Sequence, residues 1–348
     1  MNPSNINPFP NCPALDGYHC QTNSLAKIFH HHGHSLSEEM LLGLGAGMDF
    51  MYWHQKGQPP FIGARGNIKN FYQDIGNRTG VIVKEKTTSS ERKAEKTLLE
   101  KLSRKEPLML YGDMCYLPWF DFPEEYHFGG HTFVVCGYDG ENTALASDMD
   151  PQASGLKKGF YYPVTLEQLR IARNSKYKPF PPKNMCLEFD FTDYRDPEVE
   201  DIYSAISQTA DSMLNPPISN FGVKGIRRTA KELPKWLDKF DEEELRLNLF
   251  NVYIFIEIGG TGGGSFRYMY SRFLEEAALI TSNTEFDIAA KMMGESGEKF
   301  TEIGLLFKDI LDANDIESRI NIAAQKFVEN AILEEKVFKL LTQASVGK

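Results

Sequence analysis

The residues of this chain whose types and positions could carry chemistry are a cysteine, a histidine and an aspartate. Cys20 lies where a proline-rich N-terminal segment gives way to a helical pattern. A thiol in the first turn of a helix lies at the positive end of the helix dipole, which favours the nucleophilic thiolate. His131 begins an apolar strand, and Asp148 ends the next one. The sequence therefore predicts a Cys-His-Asp arrangement, in which the imidazole is the base and the aspartate orients it.

The turn between the two strands decides which carboxylate can reach the histidine. Residues 139–142 have the composition of a β-hairpin turn. A turn centred there places His131 opposite Asp150, with Asp148 one diagonal step away and within side-chain reach. Asp148 is the predicted partner, and Asp150 is the second choice if a bulge shifts the register.

A structural interpretation of the same residues is the alternative. A single cysteine is usually a small buried hydrophobic residue, and a single histidine in a strand is usually a satisfied core residue. Catalysis is favoured because residue type, element and order along the chain agree. The other cysteines, which lie in strand or loop contexts without a comparable helix start, are Cys12, Cys115, Cys136 and Cys186. A non-catalytic binding or scaffold protein stays as a second hypothesis.

Composition narrows the class of protein. The chain has 348 residues, which favours two domains, and its formal net charge of -10 argues against nucleic acid or an anionic membrane as partner. We find no signal peptide and no apolar stretch long enough to span a bilayer. Five scattered cysteines without a CxxC pair suit a reducing compartment, so a cytoplasmic location is expected.

The pattern of elements predicts an α+β protein with two domains. Residues 1–195 mix helix and strand and form the expected catalytic domain, whereas residues 196–348 are mostly helical. The second helix is expected to begin with a capping box of Ser35 and Glu38. In the first domain helices are predicted over 23–32, 35–44, 67–79 and 89–104, and strands over 81–83, 107–112, 131–138, 143–148 and 187–191.

A glycine-rich segment is the candidate for binding an anion. Gly262, Gly263 and Gly264 precede a predicted helix that carries Arg267. Such a loop at a helix N-terminus can hold a phosphate, and we expect it to face the cleft with Cys20, in the same chain or in the partner chain of a homodimer. The alternative is a turn that lets two helices pack closely.

Three other features are weaker candidates. Arg65, in the segment Gly63-Ala64-Arg65-Gly66, could bind substrate, although a structural ion pair is the favoured interpretation. The histidines of 30–34 invite a metal site, but adjacent helical residues point in different directions, so no metal is predicted. Aromatic residues around Trp119 are interpreted as core more readily than as a cleft wall.

The order of the three candidate residues, on a helix, a strand and the strand after the hairpin, resembles papain-like cysteine enzymes of the C39 peptidase type. Residues 19–20 and 36–47 more narrowly resemble the N-terminal domain of the butirosin biosynthesis protein H family. Residues 260–267 and 273–278 resemble the helical domain that accompanies it. The resemblance covers nearly the whole chain and implies a papain-like N-terminal domain followed by a mainly α-helical one.

The resemblance also implies an activity. The founding member of the family moves an aminoacyl group from the phosphopantetheine thioester of a carrier protein to an amine of an aminoglycoside. Cys20 would then form an acyl-thioester, with His131 as base and then acid. No tightly bound cofactor is implied: the donor would be linked to phosphopantetheine or be of the CoA type, and the partners would be an acyl carrier protein and a small-molecule amine. A hydrolase, either thioesterase or peptidase, is the runner-up.

One position departs from the pattern. Papain-like enzymes carry a glutamine six residues before the cysteine, where it contributes to the oxyanion hole, and this chain has Ala14 there. Asn11 and His19 are the candidates to replace it, with the backbone N–H of Cys20 as the other donor.

Overall fold

The computed structural model describes residues 6–123, 125–151 and 155–345. Helices and strands are mixed along the first part of the chain, in the order α1 (Cys20–His31), α2 (Glu38–Leu44), β1 (Met48–Trp53), β2 (Phe61–Arg65), α3 (Phe71–Thr79), β3 (Ile82–Lys86), α4 (Glu91–Ser103), β4 (Leu108–Gly112), β5 (His131–Tyr138), β6 (Thr143–Met149), β7 (Gly159–Thr165), α5 (Leu166–Asn174) and β8 (Cys186–Asp190). The predicted α+β class is confirmed at this level.

The second part of the chain is helical. Its α-helices are α6 (Val199–Leu214), α7 (Gly222–Glu232), α8 (Trp236–Lys239), α9 (Glu242–Tyr253), α10 (Arg267–Thr281), α11 (Thr284–Leu306) and α12 (Ile316–Ala344). A π-helical turn, Ile254–Ile258, extends α9. No helix in the described part of the chain is both long enough and apolar enough to cross a lipid bilayer.

The chain forms two compact units that are not two continuous segments. One unit comprises Met1–Leu41 and Gly80–Arg195, and the other comprises Leu42–Thr79 and Asp196–Lys348. The segment that carries β1, β2 and α3 thus packs with the C-terminal helices. The sequence instead predicts that this segment belongs to the first domain, residues 1–195. The division into domains of 1–195 and 196–348 stays a prediction.

A six-stranded antiparallel sheet of order β3-β8-β4-β5-β6-β7 organises the first unit. Strands β4 and β5 are central and almost wholly buried, and α1 packs on β5. The predicted register is confirmed by the pairs Val134–Ser147 and Val135–Ala146. A bulge between Val135 and Gly137 shifts the pairs nearer the turn by one residue. At the His131 end of the strands, the register therefore keeps its predicted value.

The second unit is built on α10, α11 and α12, with the two-stranded sheet of β1 and β2. Trp236, Phe286 and Phe300 are fully buried in its core. Helix α11 is continuous from Thr284 to Leu306. Gly297 lies inside it because a Cβ there would come within 2.7 Å of the Tyr268 ring. This glycine allows close packing and does not end the helix.

Candidate active site

Cys20 is the first residue of α1, and its side chain is partly exposed. His19 is the N-cap, with extended backbone, and its ring Nδ1 accepts a hydrogen bond from the backbone N–H of Thr22. Gly33, in a left-handed conformation, follows the helix C-terminus. The thiol therefore lies at the helix N-terminus, where the dipole favours a negative charge.

Glu38 holds the turn that leads into this helix. Its buried carboxylate accepts hydrogen bonds from the backbone N–H groups of Tyr18 (2.9 Å) and His19 (3.1 Å) and from the Thr22 hydroxyl (2.6 Å). Burial raises the pKa of Glu38 despite these donors. The Asn23 amide, 3.3 Å from Oε1, completes the set. Four donors around one carboxylate fix the backbone just before Cys20.

The expected capping box of Ser35 and Glu38 is wrong. Helix α2 begins at Glu38 itself, and the Ser37 hydroxyl accepts from the backbone N–H of Met40. The carboxylate of Glu38 points instead to residues 18–23, because the unpaired N–H groups of the α1 entry are buried and require an acceptor.

His131 and Asp148 are in direct contact. His131 Nε2 lies 2.7 Å from Asp148 Oδ2, and both side chains are buried. The other ring nitrogen, Nδ1, is left for Cys20, whose side chain interacts with the imidazole and raises its pKa. The Phe120 ring packs edge-on against the imidazole at 5.0 Å between ring centroids. The three candidate catalytic residues are therefore brought together, and Asp148, not Asp150, contacts the histidine.

The carboxylate of Asp148 has further donors. Trp119 Nε1 donates to Oδ2 at 2.8 Å, and the backbone N–H of Met149 donates to Oδ1 at 2.8 Å. The sequence did not single out Trp119 as a partner of Asp148. A buried carboxylate with donors at both oxygens is held in one orientation, which in turn fixes the imidazole plane.

The electrostatics of the site favour an ion pair. Burial opposes ionisation of Cys20, but the hydrogen bond and charge of His131 and the backbone N–H and hydroxyl of Thr132 outweigh it, so the pKa of the thiol is lowered. Burial likewise opposes the charge on His131, yet Asp148 and Cys20 raise the pKa of the imidazole to about 10. The pKa of Asp148 is lowered, because its interactions with His131 outweigh burial. Both shifts favour a thiolate beside an imidazolium over the neutral pair.

The positions of Asn11 and His19 do not favour either residue as an oxyanion donor. Asn11 is exposed, and its carbonyl oxygen lies 3.2 Å from His30 Nδ1, at the C-terminal end of α1. Ten residues of helix separate His30 from Cys20, or about 15 Å, so Asn11 lies too far from the thiol. His19 is adjacent in sequence, but its Nδ1 serves as the helix cap.

The expectation that Arg267 binds a phosphate is corrected. Its guanidinium is fully buried, with Nε and Nη2 donating to Glu334 at 2.8 and 3.0 Å and Nη1 donating to the carbonyl of Asp49 at 2.9 Å. The Arg267 side chain is therefore a buried structural ion pair within the second unit.

The glycine-rich loop uses its backbone N–H groups internally. Gly264 N–H donates to Glu257 at 3.0 Å, and Gly263 N–H donates to the Thr261 hydroxyl at 3.2 Å. Gly262 has a positive φ of 70°, as its turn requires. Bonded in this way, these glycines support the packing interpretation over the anion site.

Arg65 is also structural. Its guanidinium donates to the carbonyl of Gly47 and lies 4.1 Å above the centre of the Phe71 ring. A cation held by a carbonyl and an aromatic face within its own unit is a packing element.

The histidine cluster packs against aromatic rings. His32 stacks on Phe191 at 4.2 Å, and His34 stacks on Tyr194 at 3.5 Å between ring centroids. Among the described residues, no group of three or more His, Cys, Asp or Glu side chains could hold a metal ion.

An aromatic cavity adjoins the site. It has a volume of about 440 Å³, and its lining residues are Pro118, Trp119, Asp150, Pro151, Tyr162 and Pro163. The rings of Trp119 and Tyr162 are stacked, with centroids 4.9 Å apart. Because Trp119 also bonds to Asp148, one wall of the cavity is fixed to the candidate triad. Sequence reasoning favoured a core position for these aromatics, and only the hairpin register could have suggested that Asp150 faces the same region.

Lys27 is a buried charge that sequence reasoning missed. It lies seven residues after Cys20, so both side chains lie near one face of α1. Its ammonium is fully buried without a hydrogen-bond partner among the described residues. Burial lowers the pKa of Lys27, and the charge of Asp148 opposes that shift.

Comparison with known families places the site in context. The family model described as butirosin biosynthesis protein H, N-terminal, matches residues 19–149, a range that includes Cys20, His131 and Asp148. A model described as a domain of unknown function (DUF4872) matches residues 167–341. A search of the curated proteins found no match. The chain therefore belongs to the family of proteins with a DUF4872 domain, and its residues 19–149 match the N-terminal domain of butirosin biosynthesis protein H.

Proposed function

We propose that this protein is a cysteine-dependent acyltransferase that moves an acyl group from a thioester to an amine. The observation that carries the proposal is the contact of His131 with both Cys20 and Asp148, at a helix N-terminus, inside the segment matched by the family model. A thiolate paired with an imidazolium is the activated nucleophile of papain-like enzymes. We further propose that the first unit is papain-like in fold as well as in chemistry.

The first half-reaction forms an acyl-enzyme. The Cys20 thiolate attacks the thioester carbonyl, and a carbon–sulfur bond forms as the carbonyl oxygen takes the negative charge. When that oxyanion collapses, the donor's carbon–sulfur bond breaks. The departing thiolate takes the proton from His131 Nδ1, which leaves a neutral imidazole and an acylated Cys20.

The second half-reaction transfers the acyl group. The neutral amine attacks the acyl carbon, and His131 Nδ1 takes the proton that the nitrogen loses. Collapse of the second tetrahedral intermediate expels the Cys20 thiolate and restores the imidazolium. Asp148 stabilises that imidazolium and holds Nε2, so Nδ1 faces the thiol throughout the cycle.

The aromatic cavity supports an amine as acceptor. Its walls are aromatic and proline rings, and its charged lining residue is the carboxylate of Asp150. Aromatic faces and a carboxylate favour ligands that carry ammonium groups. A polyamine or amino sugar could place one ammonium there while a second, neutral amine reaches the acyl-enzyme.

The donor is proposed from the family. The family's description names butirosin biosynthesis, so we propose a role in secondary metabolism of that antibiotic type. The donor would then be an acyl-phosphopantetheine on a carrier protein, or an acyl-CoA. A hydrolase would form the same acyl-enzyme and differ only in that water replaces the amine.

Intact-mass measurement tests the proposal. We expect the protein, incubated with acyl-CoA or with an acylated carrier protein, to gain the mass of one acyl group. The Cys20→Ser variant should gain none, whereas Cys115→Ser, which alters a partly exposed cysteine, should behave as the unsubstituted protein does.

Adding an amine to the acylated protein distinguishes a transferase from a hydrolase. An amine that removes the adduct and appears acylated supports the transferase, whereas loss of the adduct in buffer alone at the same rate indicates a hydrolase. If no adduct forms with any thioester, or if the Cys20→Ser variant still forms one, the acyl-enzyme mechanism is wrong. A scaffold cysteine would react with alkylating reagents only near its ordinary pKa, roughly 8.5.

A further inference from the structure

Lys157 is fixed beside the loop that leads to the nucleophile. The backbone N–H of Gly17 donates to the carbonyl of Lys157 at 2.8 Å, and the N–H of Lys157 donates to the carbonyl of Gly17 at 2.7 Å. Two such bonds form an isolated antiparallel bridge, in which the two Cα atoms lie about 5.5 Å apart. Gly17 precedes Cys20 by three residues, so the lysine side chain starts close to the thiol.

The segment around this lysine is held firmly. Asp16 accepts from the Lys158 ammonium at 2.9 Å and from the backbone N–H of Gly159 at 3.0 Å. A Cβ at Gly159 would lie 2.4 Å from the carbonyl oxygen of Leu15, so the two backbones are in close contact. The start of β7 is therefore clamped to residues 14–17, and Lys157 cannot move away from Cys20 without breaking these contacts.

Two neighbouring lysines differ in their surroundings. The Lys158 side chain is 74% exposed and paired with Asp16. The Lys157 side chain is half-buried and makes no ion pair or hydrogen bond within the described residues. Burial lowers the pKa of Lys157, while the charges of Cys20, Asp148 and Asp150 favour its protonated form. An unpaired, partly desolvated cation beside a nucleophile can stabilise negative charge that develops there.

The acyltransferase mechanism needs hydrogen-bond donors beside Cys20. Each half-reaction passes through an oxyanion on the acyl carbonyl. Ala14 stands where papain-like enzymes carry a glutamine donor, Asn11 lies at the far end of α1, and His19 Nδ1 is used as the helix cap. The first N–H groups of a helix have no intrahelical acceptor, so the backbone at Cys20 can supply one donor. A second donor is required, and the charge interaction of Lys157 with Cys20 makes this lysine the candidate.

We propose that Lys157 stabilises the oxyanion of the tetrahedral intermediates at Cys20, together with the backbone N–H of Cys20. This inference rests on the proposed acyl transfer. The ammonium donates a hydrogen bond to the carbonyl oxygen as that oxygen becomes negative, and it keeps its proton. When the carbon–oxygen double bond re-forms, the interaction weakens, so the gain falls on the transition state rather than on bound substrate.

The test compares Lys157→Met with Lys158→Met under acyl-CoA, measured as the rate of acyl-enzyme formation and as kcat and KM. Lys157→Met should lower kcat by about 10²–10³-fold, the loss typical of one oxyanion donor, with KM within about threefold. Lys158→Met should stay within about twofold, because a surface pair contributes little. Lys157→Arg, which keeps a cationic donor, should recover part of kcat.

Two readouts keep the outcomes distinct. Alkylation of Cys20 by iodoacetamide passes through no carbonyl oxyanion, so Lys157→Met and Lys157→Gln should retain it if they are folded. If the unsubstituted protein forms no acyl-enzyme, the proposed function fails. If it does form one, the role assigned to Lys157 is overturned when Lys157→Met is acylated at the same rate or shows only a higher KM. A higher KM with unchanged kcat would mean that the lysine binds an anionic group of the donor.

Discussion

The indole Nε1 of Trp119 lies 2.8 Å from Oδ2 of Asp148, the same oxygen that contacts His131. Replacing Trp119 by Phe keeps an aromatic ring against Tyr162 and removes only this donor. Because the acceptor is a buried carboxylate, we expect the free energy of unfolding to fall by about 1.5–3 kcal/mol in urea denaturation. Tyr162→Phe keeps the same stack and should change it by less than about 0.5 kcal/mol. Equal losses in both variants would contradict a specific role for the indole N–H.

Asp148→Asn should affect the reaction more than the fold. An amide at this position can donate to Nε2 and so favours the wrong tautomer, with kcat expected to drop by about 10⁴-fold. Without the carboxylate the pKa of His131 should fall from about 10, and the pKa of Cys20 should rise as its cationic partner is lost. The measurement is the pH dependence of Cys20 alkylation, in which the midpoint should move to higher pH in Asp148→Asn. An unchanged midpoint would mean that the thiolate does not depend on the imidazolium.

Lys27→Met should reveal the cost of a buried cation. The pKa of Lys27 is lowered by burial, so between the folded and unfolded pKa values the unfolded state binds more protons, and the stability contributed by this group rises with pH. Lys27→Met should therefore be more stable than the unsubstituted protein at pH 7, by about 1–3 kcal/mol. The difference should shrink as the pH approaches the unfolded value of about 10.4. Urea denaturation across this range measures it, and a difference independent of pH would contradict the buried charge.

Replacing the buried cation Arg267, in the second unit, should lower stability, whereas replacing Lys27 should raise it. Arg267→Met leaves the carboxylate of Glu334 buried without its bidentate partner, although Ser296 still donates to it. We expect the free energy of unfolding to fall by about 3–5 kcal/mol. The double variant with Glu334→Met should recover part of this loss, because no unpaired charge remains. In protein that stays folded, the KM for the acyl donor should be unchanged, and a large increase in KM would restore Arg267 as a substrate ligand.

The hairpin of β5 and β6 could be predicted from the sequence because its turn and its alternation are local signals. They predict the strand bounds 131–138 and Asp148 as the partner of His131, and the structure has both. Strand β7 was missed because it contains Pro163, which argues against a central strand. It lies at the edge of the sheet, where a missing N–H costs little. Strand β1 was missed because a short apolar run has no distinctive periodicity.

The supporting residues of the site could not be predicted in the same way. Glu38 and Lys157 contact the loop before Cys20, and Trp119 contacts Asp148, each across a long separation in the sequence. No local pattern encodes such pairs, since each depends on which buried donor lacks an acceptor once the chain has folded. The glycine-rich loop is a different case, because its local pattern is typical of an anion-binding site. In the structure the N–H of Gly264 instead donates to the carboxylate of Glu257, in the preceding segment of the same chain.

The carboxylate of Glu38 also has a kinetic consequence. It begins α2 while accepting the backbone N–H groups of Tyr18 and His19, so the entry to α1 cannot keep its shape if the start of α2 detaches. Local opening of α2 would release both amides to solvent at once. Their hydrogen exchange should therefore share one protection factor, and fluctuations of a helix that carries no catalytic residue would set how often the thiolate is correctly presented.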